Sequence, residues 1–113
     1  MTVAVVCSRE FPRPDLVEAF IDALDPGTVV VSEGGRGVPR VAEQAALRAG
    51  LRVLQYPAYW DKYGASAGAV RRVRMLKHSD HLVAFWDQKS HGTLQALNIA
   101  NRMGKSFEIR LAD

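Results

Sequence analysis

The sequence predicts an α/β fold: a single three-layer domain of about five mostly parallel strands flanked by about four helices. Three observations carry this. Short apolar, β-branched runs alternate with amphipathic stretches of helical period along the whole chain. The runs Thr2 to Cys7, Thr28 to Val31 and His81 to Phe85 are apolar on consecutive residues rather than on every second one, as in strands covered on both faces. A length of 113 residues suits one domain with one core.

Thr2 to Cys7 reads as the first buried strand. Pro12 and Pro14 open a helix, where a proline in the first turn removes no hydrogen bond. Within it Leu16, Val17, Phe20, Ile21 and Leu24 recur at helical spacing, while Glu18 and Asp22 face outward. Asp25-Pro26-Gly27 turns the chain into a second strand, Thr28 to Val31, which leads to the glycine-bearing loop Glu33-Gly34-Gly35-Arg36-Gly37. A second helix, about Pro39 to Ala49, carries Val41, Ala42, Ala45 and Ala46 and stops at Gly50. Leu51 to Gln55 is a third, shorter strand. The connection from Tyr56 to Gly64 holds most of the aromatic residues. A third helix, about Ala65 to His78, places Ala69, Val70, Val73 and Leu76 on one side. The strand His81 to Phe85, a polar loop, a helix from Leu94 to Met103 stopped by Gly104, and a strand from Ser106 to Leu111 complete the series.

Composition narrows the function. Hydrophobic residues make up 48% and charged residues 24%, the balance of an ordinary soluble globular protein. No apolar run approaches the roughly 20 residues that span a bilayer. The N-terminal residues lack a charged segment followed by an apolar one, so a cytoplasmic protein is expected. Cys7 is the only cysteine, which excludes an internal disulfide and suits a reducing compartment; it reads as a small core residue. The net charge of +3 is too small to require nucleic acid and suits a site for a small anion. The three histidines lack metal-ligand spacing, so neither a metal nor a cofactor is expected.

In a parallel sheet, ligands bind outside the carboxyl ends of the strands, where the strand order reverses. Ser8-Arg9, the loop from Glu33 to Gly37, the connection from Tyr56 to Tyr63 and the loop from Trp86 to Thr93 each follow a strand, so all four belong on one edge. The last is the most informative, because it runs from a strand through a small polar loop into a helix start. Free N–H groups and the positive end of the helix dipole meet there, an arrangement that binds phosphate.

Within that loop Gly92-Thr93 offers two N–H groups and a hydroxyl; the competing reading is simple capping by Ser90 or Thr93. Lys89 and His91 flank it. Gly34, Gly35 and Gly37 allow close backbone approach, and Arg36 between them has the planar fork that grips two phosphate oxygens. Arg40 lies one turn into the next helix. Glu33 reads equally as an acceptor of ribose hydroxyls or as a turn cap. Arg71 is favoured over Arg72 and Arg74, which read as a solvated helix face, because Gly68 upstream marks a close contact at the helix start. Trp60, Tyr63 and Trp86 are suited either to stacking on a base or to packing at an edge or subunit interface. Asp61 and Asp87 are candidates to orient a ribose or act as acids.

Four of these pieces resemble, in order, the SLOG superfamily of Rossmann-like domains, which includes the Smf/DprA and Lonely Guy proteins, and within it the small YspA-like branch, a domain family of unknown function. They are Cys7-Ser8-Arg9; Gly34-Gly35-Arg36-Gly37 with Arg40 and Ala42; Trp60-Asp61-Lys62-Tyr63-Gly64 with Ala67-Gly68 and Arg71 to Met75; and Trp86-Asp87 with Ser90 and Gly92-Thr93. The resemblance covers nearly the whole chain. This sequence departs from the pattern at Cys7 and Gln88, where glycine is usual, at Pro39 for an aspartate, and at Arg71-Arg72 for Arg-Asn. These departures bear on the identity of the ligand more than on the location of its site.

The resemblance implies binding of a nucleotide or nucleotide-derived ligand, in some members with cleavage of the base from ribose phosphate. The cleaving enzymes carry Pro-Gly-Gly-x-Gly-Thr-x-x-Glu. Here Gln88-Lys89-Ser90 replaces the Pro-Gly-Gly, and Ala96 stands at the glutamate position. Gln95, next to it, points about 100° away around the helix. The expectation is therefore non-catalytic binding, sensing or sequestering such a ligand. The alternatives are a phosphoribohydrolase acting on nucleoside 5′-monophosphates and, on the Arg71 to Arg74 cluster, single-stranded DNA binding. The expected partner is a nucleotide-like small molecule, with no membrane and no nucleic acid. A homodimer is compatible with the sequence but not fixed by it.

Overall fold

A computed structural model of the chain describes residues 1–34 and 37–113. Its strands are β1 (Thr2–Cys7), β2 (Val29–Ser32), β3 (Arg52–Gln55), β4 (His81–Phe85) and β5 (Phe107–Arg110). They form one all-parallel sheet in the order β3-β2-β1-β4-β5. Four helices of nine to twelve residues, α1 (Pro14–Asp22), α2 (Val38–Arg48), α4 (Ala67–Lys77) and α5 (His91–Arg102), flank it. A single helical turn, α3 (Trp60–Tyr63), interrupts the aromatic connection and passes through a 3-10 turn at Gly64–Ser66 into α4. The predicted three-layer α/β domain is the one observed.

Alternate residues of a strand face opposite sides of the sheet, and both sides here are apolar. Val3, Val5 and Cys7 of β1 join Val83 and Phe85 of β4 under Val17 and Ile21 of α1 and Ala42, Ala45 and Ala46 of α2. Ala4 and Val6, with Val31, Leu82 and Ala84, pack on the other side against Met75 and Leu76 of α4 and Ala96, Leu97 and Ala100 of α5. Phe85 meets the edges of Phe11 and Phe20 with ring centroids 5.6 Å away in each case. This double coverage is why β1, β2 and β4 carry no polar alternation.

Two expectations need correction. The last helix begins at His91 rather than Leu94, with Ser90 as its N-cap residue, so Gly92 and Thr93 lie in its first turn. Apolar periodicity cannot register a first turn made of His, Gly and Thr. On α4 the buried stripe is Ala67, Gly68, Met75 and Leu76, while Ala69, Val70 and Val73 are only half-buried. Packing of α4 against α5 turns the helix so that Arg71 and Arg72 also lie largely covered, with side chains 18% and 14% exposed.

The order of the strands positions the site. From β1 the chain moves through β2 to β3 on one side, then crosses back to β4 and β5 on the other. The reversal falls between β1 and β4, whose following loops therefore lie side by side. The loop after β2 is drawn onto them: Val38 N–H donates to the Arg9 carbonyl at 3.2 Å. A Cβ at Gly37 would lie 2.5 Å from that same oxygen, and its φ of +75° is in the left-handed region, so only glycine fits there. Among the described residues no helix is long and apolar enough to cross a membrane.

Candidate functional site

A cleft of about 470 Å³ opens at the carboxyl ends of β1 and β4. Beneath it Ser8, 1% exposed, pins three segments together. Its N–H donates to the Phe85 carbonyl at 2.9 Å, its Oγ accepts from the Asp87 N–H at 3.1 Å, and the Ser8 and Thr93 hydroxyls share a hydrogen bond at 3.1 Å. The end of β1, the loop after β4 and the first turn of α5 are thus one rigid floor.

Asp87 shapes the loop that leads into α5. Its Oδ1 accepts the N–H groups of Lys89 at 2.9 Å and Ser90 at 2.8 Å. The Trp86 indole N–H closes the far side by donating to the Ser90 carbonyl at 3.1 Å. Between them Gln88 adopts φ +66°, a left-handed conformation unusual for a residue with a side chain. Burial pushes the Asp87 carboxyl up, but the amides of Lys89 and Ser90 and the Ser8 hydroxyl outweigh it, and its pKa is lowered below the ordinary aspartate value. Asp87 is therefore a charged loop staple rather than a proton donor.

With the Asp87 carboxylate committed to the loop, α5 receives no side-chain cap among the described residues. Neither Ser90 nor Thr93 fills that role; the Thr93 hydroxyl donates instead to the Ser90 Oγ at 3.4 Å. Ser90, Gly92 and Thr93 line the cleft, so the positive end of α5 opens into it.

Two arginines of α4 reach the same place. Arg72 donates from Nε to Glu33 Oε1 at 3.0 Å and from Nη2 to Glu33 Oε2 at 3.1 Å, a two-pronged grip, and from Nη1 to Gln95 Oε1 at 2.6 Å. Arg71 donates from Nη2 to Glu33 Oε2 at 3.2 Å. A Cβ at Gly92 would lie 2.9 Å from Arg72 Nη2 and one at Gly68 3.1 Å from Nη1, so two glycines form the slot that admits the guanidinium. The Nε of Arg71 is buried without a partner among the described residues. Burial lowers the Arg71 pKa from its ordinary value, Glu33 opposes that, and the neighbouring charges of Arg72 and Arg9 add to it. Two guanidinium groups thus gather on the one carboxylate of Glu33, itself 14% exposed.

No protein-family model, curated protein or solved structure matches the chain. Its residues and their geometry are what describe the site.

Of the sequence-derived candidates, Arg9, Gly34, Arg71, Asp87, Ser90, Gly92 and Thr93 line the cleft. Ser8 lies below it, and Gly37 and Gly68 shape it by close packing on Arg9 and Arg72. Arg40 and Trp60 are exposed, and neither they nor Trp86 lines the cleft; the indole of Trp86 is taken up within its own loop. Gly35 and Arg36 lie outside the described residues. Arg72 is the residue that sequence reasoning undervalued. The signal was present: Gly68 and Arg72 are four apart and share a helix face, so the close contact marked by Gly68 belongs to Arg72. Pro39, where the resembled pattern has an aspartate, also lines the cleft, as does Glu10, which no sequence feature singles out.

Cys7 borders the cleft but is 8% exposed, and burial, followed by the charge of Glu33, pushes its thiol up to about 12. It is a core thiol rather than a nucleophile. Among the described residues no three His, Cys, Asp or Glu side chains gather as a metal site would require.

Proposed function

We propose that this cleft binds a nucleotide or nucleotide-derived ligand without cleaving it. The ligand's phosphate would lie between the open end of α5 and the guanidinium groups of Arg71 and Arg72. The observation that carries this reading is the convergence of an uncapped helix N-terminus and two largely covered arginines at the point where the sheet order reverses. Helix dipole and guanidinium forks favour the same ligand charge, and a phosphate offers the oxygens both require. The volume of about 470 Å³ falls in the range of small-molecule sites.

Cleavage has weaker support. Ala96 is fully buried against the sheet, so the position that holds the hydrolase glutamate carries a methyl group inside the core. Glu33 is held by two arginines and Asp87 by two amides, which leaves neither free to serve as the acid that releases a base. Single-stranded DNA binding has less: the covered Arg71 and Arg72 face a cleft rather than an exposed stripe, and only Arg74 of that cluster is solvated.

The test is mass spectrometry of small molecules released from denatured, freshly purified protein, followed by calorimetric titration with what is found and with inorganic phosphate. A nucleotide that co-purifies with the wild type and is lost from Gly92→Asp and Arg72→Ala variants supports the reading. Absence of any bound nucleotide, with no thermal shift across a panel of nucleoside mono-, di- and triphosphates, overturns it. Free base released from nucleoside monophosphates, in a reaction abolished by Glu33→Gln, would favour the enzyme instead.

A further inference from the structure

The free edge of the sheet at β5 carries a pattern independent of the cleft. Trp86 N–H donates to the Arg110 carbonyl and Leu82 N–H to the Ser106 carbonyl, so the backbone of residues 106, 108 and 110 turns inward to β4. The backbone of Phe107 and Ile109 alternates with these and turns outward, where the N–H and C=O groups have no partner among the described residues. Sheet edges are usually blunted by proline, by inward-pointing charges or by a covering segment. Here the outward-turned residues are Phe107 and Ile109, with exposures of 37% and 47%. They lie opposite Leu82 and Ala84 in the ladder, so they extend the apolar layer beneath α5 out to the rim of the sheet.

We infer that β5 pairs antiparallel with β5 of a second copy of this chain about a two-fold axis at Ile109. Registers centred on Glu108 or Arg110 would also let the two edges exchange hydrogen bonds, but each sets two like charges opposite one another on the axis, which leaves the registers centred on an outward-turned residue. Centring on Phe107 sets Glu108 against Ser106; centring on Ile109 sets Glu108 against the partner's Arg110, and Arg110 against the partner's Glu108. The segment Phe107-Glu108-Ile109-Arg110-Leu111 is thus self-complementary when reversed: apolar against apolar and acid against base at every step. The Glu108–Arg110 pairs fall at the positions without hydrogen bonds, where side chains on facing strands come closest. Within one chain Arg110 already donates from Nε to Glu108 Oε2 at 3.1 Å, so two copies would bring together an alternating cluster of four charges on the α1 side. Two sheets of five strands would then join into one.

The experiment is the solution mass of the full chain, measured by light scattering across a dilution series, with circular dichroism as a check on folding. The wild type is expected at twice the chain mass, falling toward the monomer on dilution. Ile109→Pro removes an outward N–H that β4 does not use and is expected to give a folded monomer. Glu108→Arg and Arg110→Glu, each alone, set like charges opposite one another and should also give monomers. Mixing these two single variants should restore a dimer, because each then faces its opposite; the combined Glu108→Arg, Arg110→Glu chain should dimerise by itself. A monomeric wild type at every concentration overturns the proposal. So does a dimer that survives Ile109→Pro, or a pair of charge variants that stay monomeric when mixed.

Discussion

Arg72 grips Glu33 with two parallel hydrogen bonds, Nε to Oε1 at 3.0 Å and Nη2 to Oε2 at 3.1 Å, in a setting where both side chains are 14% exposed. The carboxylate of Glu33 thereby stands where the oxygens of a bound anion would be gripped. Glu33→Gln removes the charge and leaves the neighbouring guanidinium groups of Arg71 and Arg72 without the carboxylate they share. A destabilisation of about 1–3 kcal/mol is expected in buffers without multivalent anions. Phosphate should recover more of the stability of this variant than it adds to the wild type, because the added anion takes the vacated place. Urea denaturation with and without phosphate measures both; an equal response of the two proteins would show that Glu33 and phosphate do not compete.

Arg72 also accounts for two glycines, so its replacement separates charge from shape. Arg72→Lys keeps the charge but loses the planar fork that reaches Glu33 and Gln95 together. Binding of the proposed nucleotide ligand is expected to weaken by roughly 10–100-fold, the equivalent of about 1.4–2.8 kcal/mol, in Arg72→Ala, with little recovery in Arg72→Lys. Calorimetric titration of the two variants decides the matter; full recovery by lysine would mean that Arg72 acts only as a point charge.

The fold was legible because both faces of the sheet are apolar and every helix but α3 has a periodic stripe. The cleft was legible as a meeting of loops after strands, which is a property of the topology. What the sequence hid is what depends on rotation about a helix axis. Arg72 read as part of a solvated helix face until the packing of α4 on α5 turns it, with Arg71, toward the cleft. Trp86 read as suited to stacking on a base or to packing at an edge or interface, but its indole N–H is drawn to the Ser90 carbonyl four residues on, a local bond that no pattern of residue types announces. The first turn of α5 was invisible for a similar reason: it is held by the Asp87 loop rather than by apolar contacts.

Gln88 is the position where the loop after β4 stores strain, since φ +66° favours glycine and costs a residue with a side chain about 1 kcal/mol or somewhat more. Gln88→Gly is expected to raise stability by about 0.5–1 kcal/mol, the difference being reduced by the greater freedom of glycine in the unfolded chain. Equilibrium denaturation reads this directly. A loss of stability would mean that the Gln88 side chain makes contributions that outweigh the backbone.

Asp87 makes folding pH-dependent in a defined direction. Its pKa is lower in the folded chain than in the unfolded one, so its contribution is fully present above the ordinary aspartate value of about 3.9 and is lost as pH falls through the folded value. The stability gap between wild type and Asp87→Ala should therefore be constant near neutrality and narrow only under acid conditions. A gap that widens on acidification would reverse the sign of the shift.

Cys7 offers a probe of opening at the floor of the cleft. Its thiol is buried and pushed up to about 12, so the thiolate that attacks alkylating and disulfide reagents is scarce in the folded state. Because the folded pKa is raised, the stabilisation linked to this group is complete below the unfolded value of about 8.5 and declines as pH rises above it. At neutral pH labelling by a thiol reagent should be slow in the native protein, fast in denaturant, and slower still with the proposed nucleotide ligand bound, since Ser8 beside it ties together the three segments that a ligand would brace. Rapid labelling of the native chain, unaffected by ligand, would show that β1 and β4 part at their carboxyl ends far more readily than the Ser8 hydrogen bonds imply.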